Sequence, residues 1–431
     1  MRRTPWFVTL LMALLLSTTL LEAKRYTYLE VHRMPQSIEK DYYIWRFLTQ
    51  PSTTPQEARR IIQDASRLNK KLKTAYKKKT GFPARLLTKP PIVGGAIVNP
   101  THTKNNAKAN TLFKEGIRLV GKNQLQKAAT LFYQAHNHYT KRWEKDKTLF
   151  WLYLLTEDDA YLKPLLKSYH INLYTLLGAD LKKQQYPATI ITPTIHKRHL
   201  FGIDAKNPID WAKIKAKMNQ TGTNLEALAE SCKSEETIGI YSYLKAKACN
   251  YRKSYFPMPY RDTMKHFSKQ RQALIYAIAR QESRFVPASV SRSFALGMMQ
   301  FMPFLIEHIA KKKGEYIDLD MMFSPHKAIE YANFHLDYLG KYLYHPLFVA
   351  YAYNGGIGFT KRLIKKKEYF RRGAFEPYLS MEKMTNVEAR EYGKRVLVNY
   401  VIYLNKLGVR TRLLPLMTML TNPAQTDSFR L

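Results

Sequence analysis

One glutamate stands at the end of an apolar stripe. Leu274, Ile278 and Glu282 follow at steps of four, which puts all three on one face of a helix expected from about Ser268 to Phe285. The carboxyl therefore points where its apolar neighbours point. Desolvation there disfavours the ionised form, and the negative end of the helix dipole pushes the same way. A carboxyl that keeps its proton near neutrality can protonate a leaving oxygen, which is what cleavage of a glycosidic bond demands. Taken alone, a Glu-Ser pair closing a helix reads more simply as a carboxylate pointing into water. The segments downstream change that balance.

After a serine-rich turn from Ser289 to Ser293 comes Gly297-Met298-Met299-Gln300-Phe301-Met302-Pro303, then a helix expected over Phe304 to Lys313 and stopped by Gly314. The glycine lets backbone approach a bound ligand, Gln300 offers both a donor and an acceptor, and Met302 offers a polarisable wall. Methionines at such spacing are otherwise core residues. A helix starting near Pro346 closes on Ala352-Tyr353-Asn354-Gly355-Gly356, whose glycines terminate it. Tyr353 carries a hydroxyl within reach of the acid or of a bound ligand, with Asn354 fixing the loop; the plainer reading is a ring that merely packs. Asn386 is placed to cap a long helix ending near Leu407, on which Glu388, Tyr392, Val396 and Tyr400 share one face. A second carboxylate, Glu388, is expected to turn inward there and to orient its neighbours rather than perform chemistry.

The order, spacing and residue types of Ala279 to Phe285, Gly297 to Pro303 and Ala352 to Gly356 resemble the catalytic domain of the soluble lytic murein transglycosylases, over about 253 to 410. That family comprises lysozyme-like enzymes that cut the sugar strands of bacterial peptidoglycan. The resemblance implies Glu282 as the catalytic acid and then base, and Ser291, Gln300 and Met302 in contact with substrate. It also implies Tyr353 in the active site and a supporting glutamate and tyrosine matched by Glu388 and Tyr392. The implied reaction breaks the β-1,4 bond between N-acetylmuramic acid and N-acetylglucosamine without water and leaves 1,6-anhydro-N-acetylmuramic acid ends. Met298 stands where the family usually has leucine, Gly355 where it has alanine, and Ala389 where it has threonine. None of these touches the acid.

The elements that must hold these residues are nearly all helical: periodic stretches run at helical spacing, and strand-type alternation is scarce. Ile61, Ile62, Ala65, Leu68, Leu72 and Ala75 read as one stripe, ended by a lysine run and Gly81-Phe82-Pro83. Between about Ala109 and Lys141, Leu112, Gly116, Leu119, Ala128, Phe132 and Ala135 read as one pair of antiparallel helices in close approach, of the tetratricopeptide kind. The prolines of Tyr255 to Tyr260 mark a boundary near 252. The expected fold is all-α, an N-terminal irregular helical-pair superstructure followed by a lysozyme-like α-helical catalytic domain. Its expected divisions are a signal peptide at 1–23, a helical segment with a proline- and glycine-rich connection at 24–103, a helical-repeat-like domain at 104–252 and the catalytic domain at 253–431.

Two arginines, an uncharged apolar run from Trp6 to Leu21 and Glu22-Ala23 make the signal-peptide pattern. Export to the periplasm is expected, with at most peripheral membrane contact. Against 33 acidic residues stand 70 Lys and Arg in 431, a formal charge of +37. Such a surface is drawn to any polyanion, and the exported setting favours the wall over nucleic acid. The expected partners are peptidoglycan strands and proteins of wall remodelling or secretion. Cys232 and Cys249 are the two cysteines, and their pairing stays open. Neither they nor the scattered histidines have metal-ligand spacing, so no cofactor is expected. Two rivals remain: a muramidase that uses water, and a catalytically idle basic wall-binding scaffold.

Overall fold

The computed structural model describes residues 24–87, 100–196 and 203–431, with side chains from 106 in the first helix of the middle stretch. The expected signal peptide and most of the proline- and glycine-rich connection lie outside the described residues. The chain is all-α. Among the described residues, the paired strands are two-residue stubs, Ile190–Ile191 running parallel to Ser254–Tyr255. No helix among them is long and apolar enough to cross a membrane. Cys232, buried, and Cys249, partly exposed, are both free.

Two compact units form. Of the described residues, the first comprises 24–87 together with Arg292–Phe294 and Met302–Met321; the second comprises the others.

In the first unit, helix Ile38–Thr49 is capped by Ser37, whose hydroxyl accepts from the Lys40 amide. Its Arg46 is clamped by Asp318 and Asp320, both at 2.9 Å, and Tyr42 donates to Asp320 at 2.6 Å. The apolar run from Ile61 to Ala75 is not one helix. Helix Pro55–Ile61 and a short 3-10 turn stop at Ala65, and a new helix begins at Lys70. The cause is tertiary: Asp41 accepts from the Ser66 amide and hydroxyl and from the Arg67 amide, which draws the backbone out of helical geometry before Asn69 caps the next helix.

In the second unit, helices Pro100–Val120 and Leu125–His138 form the expected close pair. A Cβ at Gly116 would lie 2.5 Å from the Phe132 ring, so the glycine is what allows the helices to meet. Ala128, Phe132 and Ala135 fill the seam with Trp151 behind them.

The catalytic-type segment is built on three helices. Lys269–Glu282 starts at Ser268, whose hydroxyl accepts from the Arg271 amide, and ends three residues short of the sequence expectation. Arg284 and Phe285 turn to positive φ (56° and 67°), leaving Glu282 as the last helical residue. Val387–Lys406, capped by Asn386, lies along it. The rings of Tyr276 and Tyr403 stack between the two at 5.1 Å, and their hydroxyls donate to the carbonyls of Pro259 and Pro257. The proline-rich stretch is thereby tied to both helices. The third helix, Pro346–Gly355, packs so closely on the second that a Cβ at Gly393 would lie 2.2 Å from the Tyr351 ring.

Candidate active site

Glu282 ends its helix with part of its surface exposed, yet protein atoms crowd its carboxyl. Burial pushes its pKa up to about 7; the charge of Glu388 adds to the rise, and a hydrogen bond from Tyr392 opposes it. That bond runs from the Tyr392 hydroxyl to Oε1 at 2.7 Å. The other carboxyl oxygen has no hydrogen-bond partner among the described residues and is the one available to a ligand.

Ser283 fixes what lies beside the acid. Its hydroxyl donates to the Met298 carbonyl at 2.8 Å, fastening the loop after Gly297 to the end of the acid's helix. Sequence reasoning did not single out this serine, although its place directly after a helix-closing acid was the available signal. Gly297 has φ +74°, and a Cβ there would come within 2.0 Å of the Met322 carbonyl oxygen. No larger residue fits.

The loop is held by its own groups. Ser291 accepts from the Ala295 amide at 2.9 Å, and Leu296 and Phe301 exchange amide hydrogen bonds at 2.9 and 3.1 Å. Gln300, at φ 52°, spends its side-chain NH2 on the carbonyls of Gly297 (2.8 Å) and Ser289 (3.1 Å). What remains for a ligand is its amide oxygen, so the expected double role of donor and acceptor is halved. Met302 is the residue before helix Pro303–Lys313 and belongs to the first unit.

Tyr353 sits in the last turn of helix Pro346–Gly355. Its hydroxyl donates to the Met299 carbonyl at 3.0 Å rather than to the acid. Burial and the nearby charge of Glu282 hold it far above the usual phenol pKa, so it stays a neutral donor. Tyr392 is held neutral by the same two causes. Asn354 follows, partly buried, its side chain without a hydrogen bond among the described residues.

Glu388 requires a correction. It is exposed, not turned inward: it lies in the first turn of its helix next to the exposed Val387, on a different side from Ala389, which is fully buried in the same turn. The inward carboxylates of this region are Glu382 and Glu391. Lys394 binds both, at 2.8 and 3.1 Å, and Arg390 binds Glu391 at 2.9 Å. These pairs anchor the helix that carries Tyr392.

An all-α segment that brings a proton-retaining glutamate at a helix end against a tyrosine and a glycine-gated loop defines the class to which comparison can be made. Residues 263–374 match the model of the Transglycosylase SLT domain. The resemblance read from the motifs is thus shown for that segment, which contains Glu282, Ser291, Gln300, Met302, Tyr353 and Asn354 but ends before Glu388 and Tyr392.

Over 183 residues, 41% of this chain and 28% of that protein, the chain is 25% identical to the soluble lytic murein transglycosylase of Salmonella typhimurium; the values for that of Escherichia coli K12 are the same. The match therefore spans less than a third of the length of these curated relatives. Among solved structures, an inactive mutant of the lytic transglycosylase Slt from Pseudomonas aeruginosa aligns with 93% of this chain and 67% of its own, at 17% identity and a TM-score of 0.46. The 70-kDa soluble lytic transglycosylase in complex with bulgecin A aligns with 89% of this chain and 65% of its own, at 18% identity and a TM-score of 0.48.

Proposed function

We propose that this protein is a lytic transglycosylase of the periplasm that cleaves the β-1,4 bond between N-acetylmuramic acid and N-acetylglucosamine in peptidoglycan. The observation that carries the proposal is the Glu282 carboxyl, raised to about 7 by burial and oriented by Tyr392. At neutral pH a large share of the molecules hold the proton that the departing glycosidic oxygen needs. Glu282 gives that proton as the bond from the anomeric carbon to oxygen breaks. The resulting carboxylate then takes the proton of the same sugar's 6-hydroxyl as that oxygen bonds to the anomeric carbon, closing a 1,6-anhydro ring with no water consumed. Gln300 and Ser291 are assigned to substrate contact in this reading, and Tyr353 and Asn354 to the surroundings of the acid. Partners among wall-remodelling or secretion proteins belong to the same reading.

A second reading, hydrolysis, draws support from Glu388. This exposed carboxylate is close enough to raise the pKa of Glu282, and a second carboxylate is what a water-using mechanism calls for. Mass spectrometry of the fragments released from purified sacculi separates the two. Anhydro-muropeptides from the wild type and none from Glu282→Gln are expected. Reducing ends lost in Glu388→Gln would establish hydrolysis instead, and equal release by wild type and Glu282→Gln would remove the site altogether.

A further inference from the structure

A cavity of about 660 Å³ opens in the second unit behind the helix that ends in Glu282. Neither Glu282 nor Tyr392 lines it. Arg280 enters it from the acid's helix, Arg284 from the turn that follows that helix, Arg395 from helix Val387–Lys406, and Lys253 from the segment before the proline-rich stretch. None of these four cations has a carboxylate partner among the described residues. Arg280 is held by neutral acceptors, the Tyr255 carbonyl at 2.9 Å and Asn399 Oδ1 at 2.7 Å, and lies over the Phe256 ring. Arg284 rests on the rings of Tyr243 and Tyr251. The one carboxylate in the wall, Glu391, is already shared between Arg390 and Lys394.

Two further features of the wall suit an anionic ligand. The Ser242 hydroxyl, in the wall and 5% exposed, has no hydrogen-bond partner. A buried polar group is rarely left in that state. His170, also in the wall, is pushed down to about 4, first by burial and then by the charges of Arg395, Arg142 and Arg280. Guanidinium forks match the geometry of carboxylate and phosphate oxygens, while Trp143 and Tyr251 leave a flat wall for the body of a small ligand.

We propose that this cavity is a binding site, separate from the candidate active site, for a compact polyanion bearing two or more carboxylate or phosphate groups. The proposal is independent of what Glu282 does.

Isothermal titration calorimetry of the full chain with citrate, inorganic pyrophosphate and tri-glutamate tests it. Saturable binding of one molecule per chain by at least one probe is expected. Loss of a charge-assisted contact should weaken that binding about 10-fold or more in Arg284→Glu and in Arg395→Glu. Lys78→Glu, an equal charge change on an exposed helix of the first unit, should leave it unaltered. Binding of tri-glutamate alone assigns the site to acidic peptides, citrate alone to small carboxylates, and pyrophosphate alone to phosphates. Absence of binding by all three, binding undiminished by the arginine reversals, or equal weakening by Lys78→Glu would overturn the proposal. Where circular dichroism shows a reversal variant unfolded, Arg284→Gln and Arg395→Gln carry the same comparison.

Discussion

The Tyr392 hydroxyl reaches across from the second turn of one helix to Oε1 of Glu282, the final residue of another, at 2.7 Å. Burial and, after it, the charge of Glu388 favour the acid, the bond favours the carboxylate, and a pKa of about 7 is the balance. Tyr392→Phe removes the opposing influence. The alkaline limb of the pH–rate profile for sacculus clearance should then move upward by about one unit, the size of one hydrogen bond to a charge. A limb that stayed in place would mean that the bond does not set the acid's titration.

Glu282→Gln keeps the shape and removes the proton. Loss of general acid catalysis costs about 10²- to 10⁴-fold, and release of muropeptides should fall by that amount without unfolding. The assay is fragment release per mole of enzyme, with thermal melting as the control.

The same variant makes a prediction about stability. Glu282 has its pKa raised from 4.5 to about 7, so between those values the folded chain binds more protons than the unfolded one. The stability tied to the protonated group is present below pH 4.5 and is lost as pH rises through about 7. Relative to wild type, Glu282→Gln should gain with increasing pH across that window, by about 3 kcal/mol at most at pH 8. Denaturant titrations at pH 4, 6 and 8 would show a constant difference if the carboxyl were not desolvated.

Tyr353→Phe deletes the bond to the Met299 carbonyl and should cost about 1 kcal/mol of stability. Loosening the loop should lower the rate of clearance while leaving the alkaline limb where it was, in contrast to Tyr392→Phe. Matching pH shifts in the two variants would contradict the division of labour between the tyrosines.

Gly297→Ala forces a methyl group to within 2.0 Å of the Met322 carbonyl oxygen at a positive φ. Strain and overpacking together should remove roughly 3 kcal/mol. Thermal melting within error of wild type would mean that the loop relaxes freely.

Much of this arrangement could be read from local signals. Ser268, Asn386, Gly314 and the Gly355-Gly356 pair mark helix ends by mechanisms that act within a few residues, and the elements stop where those residues stand. Glu282 was legible because its stripe turned the carboxyl toward apolar neighbours and the motifs downstream tipped the balance away from a carboxylate in water. What local pattern could not supply was the influence of distant groups. Asp41 breaks the stripe at Ser66, and the carbonyls of Gly297 and Ser289 consume the donor of Gln300. Periodicity placed Glu388 on the face of Tyr392, but burial of that face begins only at Tyr392, one turn further along the helix. The unpaired arginines were visible only as net charge, since their lack of partners is a property of the folded chain.

The contact of Gly393 with Tyr351 has an evolutionary corollary. Each lies beside a proposed working tyrosine, Gly393 directly after Tyr392 and Tyr351 two residues before Tyr353, so the clearance between them sets the spacing of both hydroxyls. Drift at either position should be coupled: a side chain gained at 393 requires a smaller ring at 351. Descendants that change only one should be rare among working copies.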